Sequence, residues 1–167
     1  FYGLENAGLG RYTMNLISEL QKLDTKNQYH VLLRKKYFNR LNFDSNWKKV
    51  LVDINHYSLD EQTKLSKIIN KLKPDLVHFL HFNVPVFYRG KFIVTIHDLL
   101  MHKQRGLEAT TLTPSRYFFK RLGYSLVFAN AVRRAEKIIV PSQAVRDEVS
   151  YYYKLEPEKV IVVYDGI

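Results

Sequence analysis

The strongest strand signals in the chain are DLVHFLH at residues 75–81 and KFIVTIHDL at residues 91–99. Both segments are nearly continuous in apolar residues, which is typical of strands that are buried on both faces of a parallel sheet. Two shorter segments of the same kind follow, KIIVP at residues 137–141 and VIVVY at residues 160–164. These four segments predict the central part of a parallel sheet.

Helical spacing of apolar residues separates these strands. It recurs in four predicted helices, at residues 12–23, 58–72, 114–135 and 142–153. Ser58 and Glu61 form a capping box at the start of the second helix, and Ser142 is the predicted cap of the fourth. Weaker strand candidates lie at residues 28–33 and 49–54.

The alternation of strands and helices predicts the fold class. It indicates an α/β, Rossmann-like domain in which a doubly wound parallel sheet carries helices on both faces. A domain of this kind normally opens with a strand, whereas this chain opens with a glycine-bearing segment from Gly3 to Gly10. We therefore expect residues 1–167 to form a single domain whose first strand is missing from the chain.

Length and composition exclude several classes of protein. The chain has 167 residues, of which 46% are hydrophobic, enough for one domain with a buried core. It contains no cysteine, which excludes disulfide scaffolds, thiolate metal sites and cysteine nucleophiles within it and fits a cytoplasmic location. The most apolar stretch, residues 76–87, is interrupted by polar residues and is shorter than the ~20 residues of a membrane-spanning helix.

The net charge of +10 is concentrated in two parts of the chain. Residues 34–49 carry a net charge of +5 and residues 99–137 a net charge of +6, so the remainder is close to neutral. Basic zones on a neutral body suggest an anionic partner such as a phosphorylated substrate, an acidic lipid headgroup or nucleic acid. A well-solvated basic surface explains either zone equally well.

The second basic zone contains a predicted helix that mixes aromatic and basic residues. Its apolar face consists of Phe118, Leu122, Leu126 and Ala129. Beside that face stand three basic residues, Arg116, Lys120 and Arg121. A basic, aromatic helix can lie on an anionic membrane, so we expect contact with the inner face of a membrane or with an anionic acceptor. The alternative is a helix whose apolar face packs in the core and whose basic face is solvated.

Gly8 and Gly10 stand where the chain enters the first predicted helix. Glycines at such a turn allow the backbone to approach a ligand closely, and a helix N-terminus favours phosphate. The dinucleotide fingerprint needs a third glycine at position 13, where this chain has Thr13. We therefore expect phosphate binding without a nicotinamide cofactor; a tight turn without a ligand is the alternative.

Polar side chains cluster where two predicted strands end. His81 and Asn83 close the first strand, and His97 with Asp98 closes the next. The carboxyl ends of parallel strands face the ligand crevice, where a histidine is placed for acid–base chemistry or for holding a hydroxyl group. His78 is interpreted as a hydrogen-bonded core residue. A zinc site built from these histidines and Asp98 is possible, but their spacing matches no strong metal motif.

Five segments of the chain resemble, in the same order, the N-terminal half of the group 1 (family 4) retaining glycosyltransferases. The segments are GLGRY at the first helix, DLVHFLHFNVP, VTIHDL, AEKIIVPSQAVRDEV and KVIVVYDGI, and they span nearly the whole chain. These enzymes have two domains in the GT-B architecture. In that family the N-terminal domain binds the acceptor, the C-terminal domain binds most of the nucleotide-sugar donor, and transfer between them needs no metal ion or other cofactor.

The resemblance implies a role for each matching residue. Gly8 and Gly10 would donate backbone N–H groups to the donor diphosphate, and His97 would lie at the donor sugar and position it in the transition state. Arg11 and Tyr12 would border the acceptor side. The remaining cleft residues would be His81, Asn83, Asp98 and Ser142. The implied enzyme is a retaining hexosyltransferase, such as a mannosyl- or glucosyltransferase, with a glycan or lipid-linked acceptor in polysaccharide or glycolipid synthesis at the cell surface.

The chain departs from the family pattern at both ends. The opening strand is absent, and YDGI at residues 164–167 marks the place where the family's chain crosses into the C-terminal, donor-binding domain. We therefore expect this chain alone to be inactive and its own C-terminal domain to be a partner. The alternative is a non-catalytic Rossmann-like module that binds an anionic ligand or nucleic acid. The chain has no recognisable RNA or DNA motif, and its aromatic residues recur at core-like helical spacing, so we expect no nucleic-acid partner.

Overall fold

The described part of the chain, residues 7–103 and 114–165 of a computed structural model, divides into two compact units. The first unit is Phe1–Leu65 and the second is Ser66–Ile167. Every strand pair that the structure describes is parallel, and helices separate successive strands except between Val77–Phe79 and Phe92–Thr95. The predicted α/β fold, with parallel sheets consistent with a Rossmann-like domain, is therefore confirmed.

The first unit contains a two-stranded parallel sheet. Its elements are α1 (Ala7–Leu23), β1 (Tyr29–Leu33), α2 (Lys35–Phe38), β2 (Trp47–Leu51) and a π-helical turn (Glu61–Leu65). The register pairs Tyr29 with Trp47, and the rings of these two residues stack with their centroids 4.0 Å apart. The buried core of the unit consists of Ile17, Val31, Leu33, Tyr37 and Trp47.

The predicted capping box of Ser58 and Glu61 forms in the first unit. The Glu61 backbone N–H donates to Ser58 Oγ at 3.1 Å, as the motif requires. The Glu61 carboxylate accepts a hydrogen bond from the backbone N–H of Tyr57 at 2.6 Å, one residue before the expected donor. His56 Nδ1 lies 3.1 Å from the same carboxylate. The capping box is confirmed, except that the Glu61 carboxylate accepts from the backbone N–H of Tyr57 instead of that of Ser58.

The second unit contains a four-stranded parallel sheet in the order β3-β4-β5-β6. Its elements are α3 (Ser66–Leu72), β3 (Val77–Phe79), β4 (Phe92–Thr95), α4 (Leu100–Lys103), α5 (Pro114–Arg134), β5 (Lys137–Val140), α6 (Gln143–Tyr153), a 3-10 turn (Pro157–Lys159) and β6 (Val160–Val162). α5 packs against β4, α6 packs against β5 and β6, and the two helices contact each other. Because β4, β5 and β6 follow one another in chain order across the sheet, the right-handed crossovers that parallel strands prefer place α5 and α6 on the same face.

The core of the second unit lies between that face and the two helices. The strand residues at its centre are Phe92, Val94, Ile138, Val140 and Val160, all of them at most 3% exposed. The alternate strand residues, such as Ile93 and Ile139, are only half-buried. The side-chain alternation of the strands thus defines one fully covered face on which α5 and α6 rest.

The side of α5 that is buried in the structure is not the apolar face that its periodicity predicts. Phe118, Leu122 and Leu126, three of the four residues of the predicted apolar face, are 63%, 48% and 61% exposed. The buried residues of α5 come later, with Phe128, Ala131 and Val132 fully covered. The alternative in which the predicted face packs in the core is therefore wrong for the first half of the helix. Spacing identifies an apolar stripe, but it does not show whether other residues cover that stripe.

Candidate active site

The two glycines predicted to bind phosphate lie in the first turn of α1 and not in a loop before it. α1 begins at Ala7, whereas the apolar spacing predicted a start near Tyr12. The N–H groups of a first turn have no acceptor within their own helix, and such groups bind anions. Gly8 is exposed, and a Cβ atom there would meet nothing within 4 Å, whereas Gly10 is buried. Their role at a diphosphate stays a prediction.

The residues that follow the glycines continue the helix. Thr13, which stands in place of the third fingerprint glycine, is buried, and its Oγ1 donates to the backbone oxygen of Leu9 at 2.8 Å. Arg11 is exposed and Tyr12 is half-buried. Arg11 is therefore an exposed cation that directly follows the first turn of α1.

His97, which follows β4, hydrogen-bonds to the residue that follows β3 and so links the carboxyl ends of the two strands. Its Nε2 lies 3.2 Å from the backbone oxygen of Leu80, the residue that follows β3. This hydrogen bond requires the proton on Nε2 and fixes the orientation of the half-buried ring. His81 directly follows Leu80 and Asn83 comes two residues later, and the Asn83 backbone N–H donates to His81 Nδ1 at 3.4 Å. The predicted residues of these two strand ends therefore occupy one edge of the second unit.

Asp98 and Ser142, two further predicted cleft residues, both act at the start of a helix. Asp98 Oδ1 accepts a hydrogen bond from the backbone N–H of Leu100 at 2.9 Å, at the beginning of α4. Ser142 Oγ accepts from the backbone N–H of Val145 at 3.3 Å and caps α6 as predicted. Ser142 therefore caps α6, whereas the Asp98 contact forms an Asx turn that leads into α4, and contact of either side chain with a substrate stays a prediction.

His78 is a hydrogen-bonded residue of the second unit, as its position within a strand predicted. Its Nε2 lies 2.9 Å from Oγ1 of Thr95, which is only 1% exposed. Burial, together with the nearby imidazole of His97, lowers the pKa of His78 to about 4. At neutral pH this ring is therefore neutral and serves the packing of β3 against β4.

We expect the low pKa of His78 to make the fold sensitive to acid. The unfolded chain binds a proton at this residue near pH 6.5, whereas the folded chain does so only near pH 4. The free energy of unfolding is therefore at its full value above pH 6.5. It decreases by up to about 3 kcal/mol as the pH drops towards 4, because the unfolded chain takes up the proton more readily. Urea unfolding across this pH range should show a steeper loss for the wild type than for His78→Gln. Equal pH dependence of the two proteins would contradict this role.

His102, which sequence reasoning missed, joins three helices of the second unit. Its Nε2 lies 2.7 Å from the Tyr153 hydroxyl of α6, and its Nδ1 lies 2.9 Å from the Tyr124 hydroxyl of α5. Burial raises the pKa of both hydroxyls, that of Tyr153 to about 12. A neutral imidazole donates to one hydroxyl and accepts from the other. α4, which follows His97 and Asp98 along the chain, is thereby fixed to α5 and α6.

The match to a known family covers nearly all of this chain. Residues 7–167 match the model of Glycosyltransferase Family 4. The chain belongs to Glycosyltransferase Family 4. This is a family of N-terminal domains of group 1 glycosyltransferases, so the resemblance seen in the sequence is confirmed. A search of curated proteins gave no match.

In this family 4 domain, the three basic residues predicted to bind an anion lie on α5. Lys120 is exposed, and the half-buried Arg121 donates to the Tyr117 hydroxyl at 3.3 Å. The side chain of Arg116 lies outside the described residues. Binding of a membrane or an anionic acceptor at this place stays a prediction.

The part of this glycosyltransferase domain that the structure describes shows neither a metal-binding cluster nor a membrane-spanning helix. Among residues 7–103 and 114–165, no group of three His, Cys, Asp or Glu side chains stands in an arrangement that could hold a metal ion. None of the helices within these ranges combines the length and the hydropathy needed to cross a membrane.

Proposed function

We propose that this chain is the acceptor-binding domain of a retaining glycosyltransferase. The complete enzyme transfers a hexose, such as mannose or glucose, from a nucleotide sugar to a glycan or a lipid-linked acceptor. We assign it to the synthesis of cell-surface polysaccharide or glycolipid, in the cytoplasm at the inner face of the membrane. Family membership supports the reaction class, and the observation that carries the site is the position of His97 at the carboxyl end of β4.

His97 is the proposed catalytic residue. In the reaction, the bond between the anomeric carbon and the diphosphate oxygen breaks, and the nucleoside diphosphate leaves with the electron pair. An acceptor hydroxyl oxygen bonds to the same carbon and passes its proton to the departing diphosphate oxygen, while positive charge builds on the sugar ring in the transition state. His97, held by Leu80, is pre-oriented to hydrogen-bond the donor sugar at that moment.

The departing nucleoside diphosphate carries negative charge, and nearby positive charge stabilises it as a leaving group. The N-terminus of α1, with Gly8 and Gly10 in its first turn, offers backbone N–H groups and the positive end of the helix dipole. Arg11 and Tyr12 are the residues that we assign to the acceptor side. In this proposal most donor contacts belong to a C-terminal domain, and activity assays therefore use the complete protein.

We expect sugar transfer to proceed without a divalent metal ion, because helix dipole and backbone N–H groups meet the charge of the leaving diphosphate. The test is nucleotide release from UDP-, GDP- and dTDP-sugars by the complete protein, with and without excess chelator. One class of donor should be consumed at the same rate in both conditions. Loss of activity that zinc or manganese specifically restores would contradict this expectation. It would instead point to a metal held by His78, His81, His97 and Asp98.

A further inference from the structure

A cluster of aromatic rings joins the segments that follow β3 and β4 to the helices α5 and α6. We call it the His102 cluster, and its members are Phe82, His102, Tyr124, Phe128 and Tyr153. The His102 ring contacts three of the others edge-on, with centroid distances of 4.5 Å to Phe128, 5.4 Å to Tyr124 and 5.7 Å to Tyr153. The proposed sugar transfer assigns no role to this cluster.

Two hydrogen bonds fix the ring of His102 within the cluster. Its Nε2 lies 2.7 Å from the hydroxyl of Tyr153, and its Nδ1 lies 2.9 Å from the hydroxyl of Tyr124. One hydroxyl belongs to α6 and the other to α5, so the imidazole of α4 is held by two helices at once. Both bonds form in only one orientation of the ring, because they engage both of its nitrogen atoms.

A short hydrogen-bonded segment connects His102 to His97. Leu99 is only 1% exposed, and its backbone oxygen accepts a hydrogen bond from the backbone N–H of His102 at 2.9 Å. The Asp98 carboxylate accepts from the backbone N–H of Leu100, also at 2.9 Å. Only four residues separate His97 from His102. A shift of the anchored ring is therefore passed on to His97.

The segment that follows β3 rests on the same cluster. The Phe82 ring lies with its centroid 5.1 Å from that of Tyr124 and 5.2 Å from that of Phe128. Phe82 comes two residues after Leu80, whose backbone oxygen lies 3.2 Å from His97 Nε2. The His102 cluster therefore supports both sides of the hydrogen bond that orients His97.

We propose that His102 is a positioning residue for sugar transfer, which holds α4 and thereby keeps His97 in its reactive orientation. This inference rests on the proposed function, because it assigns His102 to the support of the proposed catalytic group. In this role His102 touches neither donor nor acceptor. Misplacement of a reacting group by about 1 Å can lower a rate by about 10²-fold. Loss of His102 should therefore lower kcat.

Variants of the complete protein that remove these bonds test the inference. His102→Phe keeps an aromatic ring without either bond and should lower kcat by about 10²-fold, while the KM for the acceptor changes less than about threefold. Tyr153→Phe removes one hydroxyl only and should lower kcat by about threefold to tenfold. His102→Gln, whose amide both donates and accepts, should retain more activity than His102→Phe. The matched control is Tyr151→Phe, at an 82% exposed position of the same helix, and it should keep the wild-type kcat.

A second background separates positioning from a general loss of structure. In His97→Ala the group that His102 positions is absent, so the further change His102→Phe should lower kcat by less than about twofold. A merely structural role would cost the same factor in both backgrounds, and this result would overturn the inference, as would a wild-type kcat in His102→Phe. In both cases His97→Ala alone is still impaired. A wild-type kcat in His97→Ala would instead overturn the proposed catalytic role, and the inference with it.

The orientation of His97 can also be measured without substrate. In the complete protein, with histidine as the only protonated amino acid, proton NMR resolves the imidazole Cε1–H signals, and the His97 signal is the one lost in His97→Ala. Tyr124→Phe and Tyr153→Phe should each shift or broaden it, whereas Tyr151→Phe should leave it unchanged. An unchanged His97 signal in both of the first two variants would overturn the inference, even where His102→Phe fails to fold.

Discussion

Replacement of His97 by alanine is expected to lower the rate of sugar transfer by about 10²–10³-fold, while acceptor affinity changes much less. The hydrogen bond from Nε2 to the Leu80 backbone oxygen holds the imidazole before the substrate arrives. The group therefore contributes most when charge develops on the sugar, and its loss should appear in kcat rather than in the KM for the acceptor. Steady-state kinetics of the complete protein measure both quantities.

The matched control for this variant is His30→Ala. His30 lies in β1 and is exposed, so its removal deletes an imidazole that is not among the predicted site residues. This control should keep the wild-type kcat. A His97→Ala enzyme with wild-type kcat would show that His97 takes no part in the reaction.

Truncation of Phe128 to alanine is expected to destabilise the fold by about 3–5 kcal/mol. The ring is completely buried and packs among aromatic neighbours, with centroid distances of 4.5 Å to His102, 5.2 Å to Phe82 and 5.5 Å to Tyr153. Its removal leaves a cavity at the junction of α4, α5 and α6. Equilibrium unfolding in urea gives the change in the free energy of unfolding.

The same helix supplies the control for this prediction. Phe118→Ala and Phe119→Ala remove the same side chain from exposed positions and should change the free energy of unfolding by less than about 0.5 kcal/mol. A cost at Phe118 as large as that at Phe128 would mean that this position is covered and that the packing of α5 described above is wrong.

All four strands of the second unit could be predicted from the sequence, two of them closely, whereas β3 at Val77–Phe79 and β4 at Phe92–Thr95 are much shorter than the predicted segments 75–81 and 91–99. Residues 137–141 and 160–164 were expected as strands, and the structure has β5 at Lys137–Val140 and β6 at Val160–Val162. These segments are rich in β-branched residues and are bounded by turn or helix signals, so local preference and tertiary packing agree. The cap at Ser142 is predictable for the same reason, because it depends on residues only three positions apart.

The features that the sequence did not predict depend on contacts between distant residues. His102 bonds to Tyr124 and Tyr153, which are 22 and 51 positions away, and no local pattern pairs them. The start of α1 at Ala7 was missed because glycines favour a turn when considered alone, although a helix tolerates them in its first turn. The exposure of Phe118 was missed because periodicity does not show which residues cover a helix face.

Part of the candidate site was predictable, because the strands that carry it are parallel. Polar residues after two adjacent strands must reach the same edge of the sheet, and His97 indeed contacts the residue before His81. The hydrogen bond between Asp98 and the Leu100 backbone and the pairing of His78 with Thr95 are details of side-chain geometry that spacing does not determine.

The most direct test of the proposed function is the stereochemistry of the first product. Proton NMR of the reaction catalysed by the complete protein, with the nucleotide sugar and an acceptor, reports the anomeric configuration of the newly formed glycosidic bond. We expect nucleotide release with a product that keeps the anomeric configuration of the donor, and a much slower appearance of the same product with His97→Ala. An inverted product, or no nucleotide release from UDP-, GDP- or dTDP-sugars, would contradict a retaining glycosyltransferase.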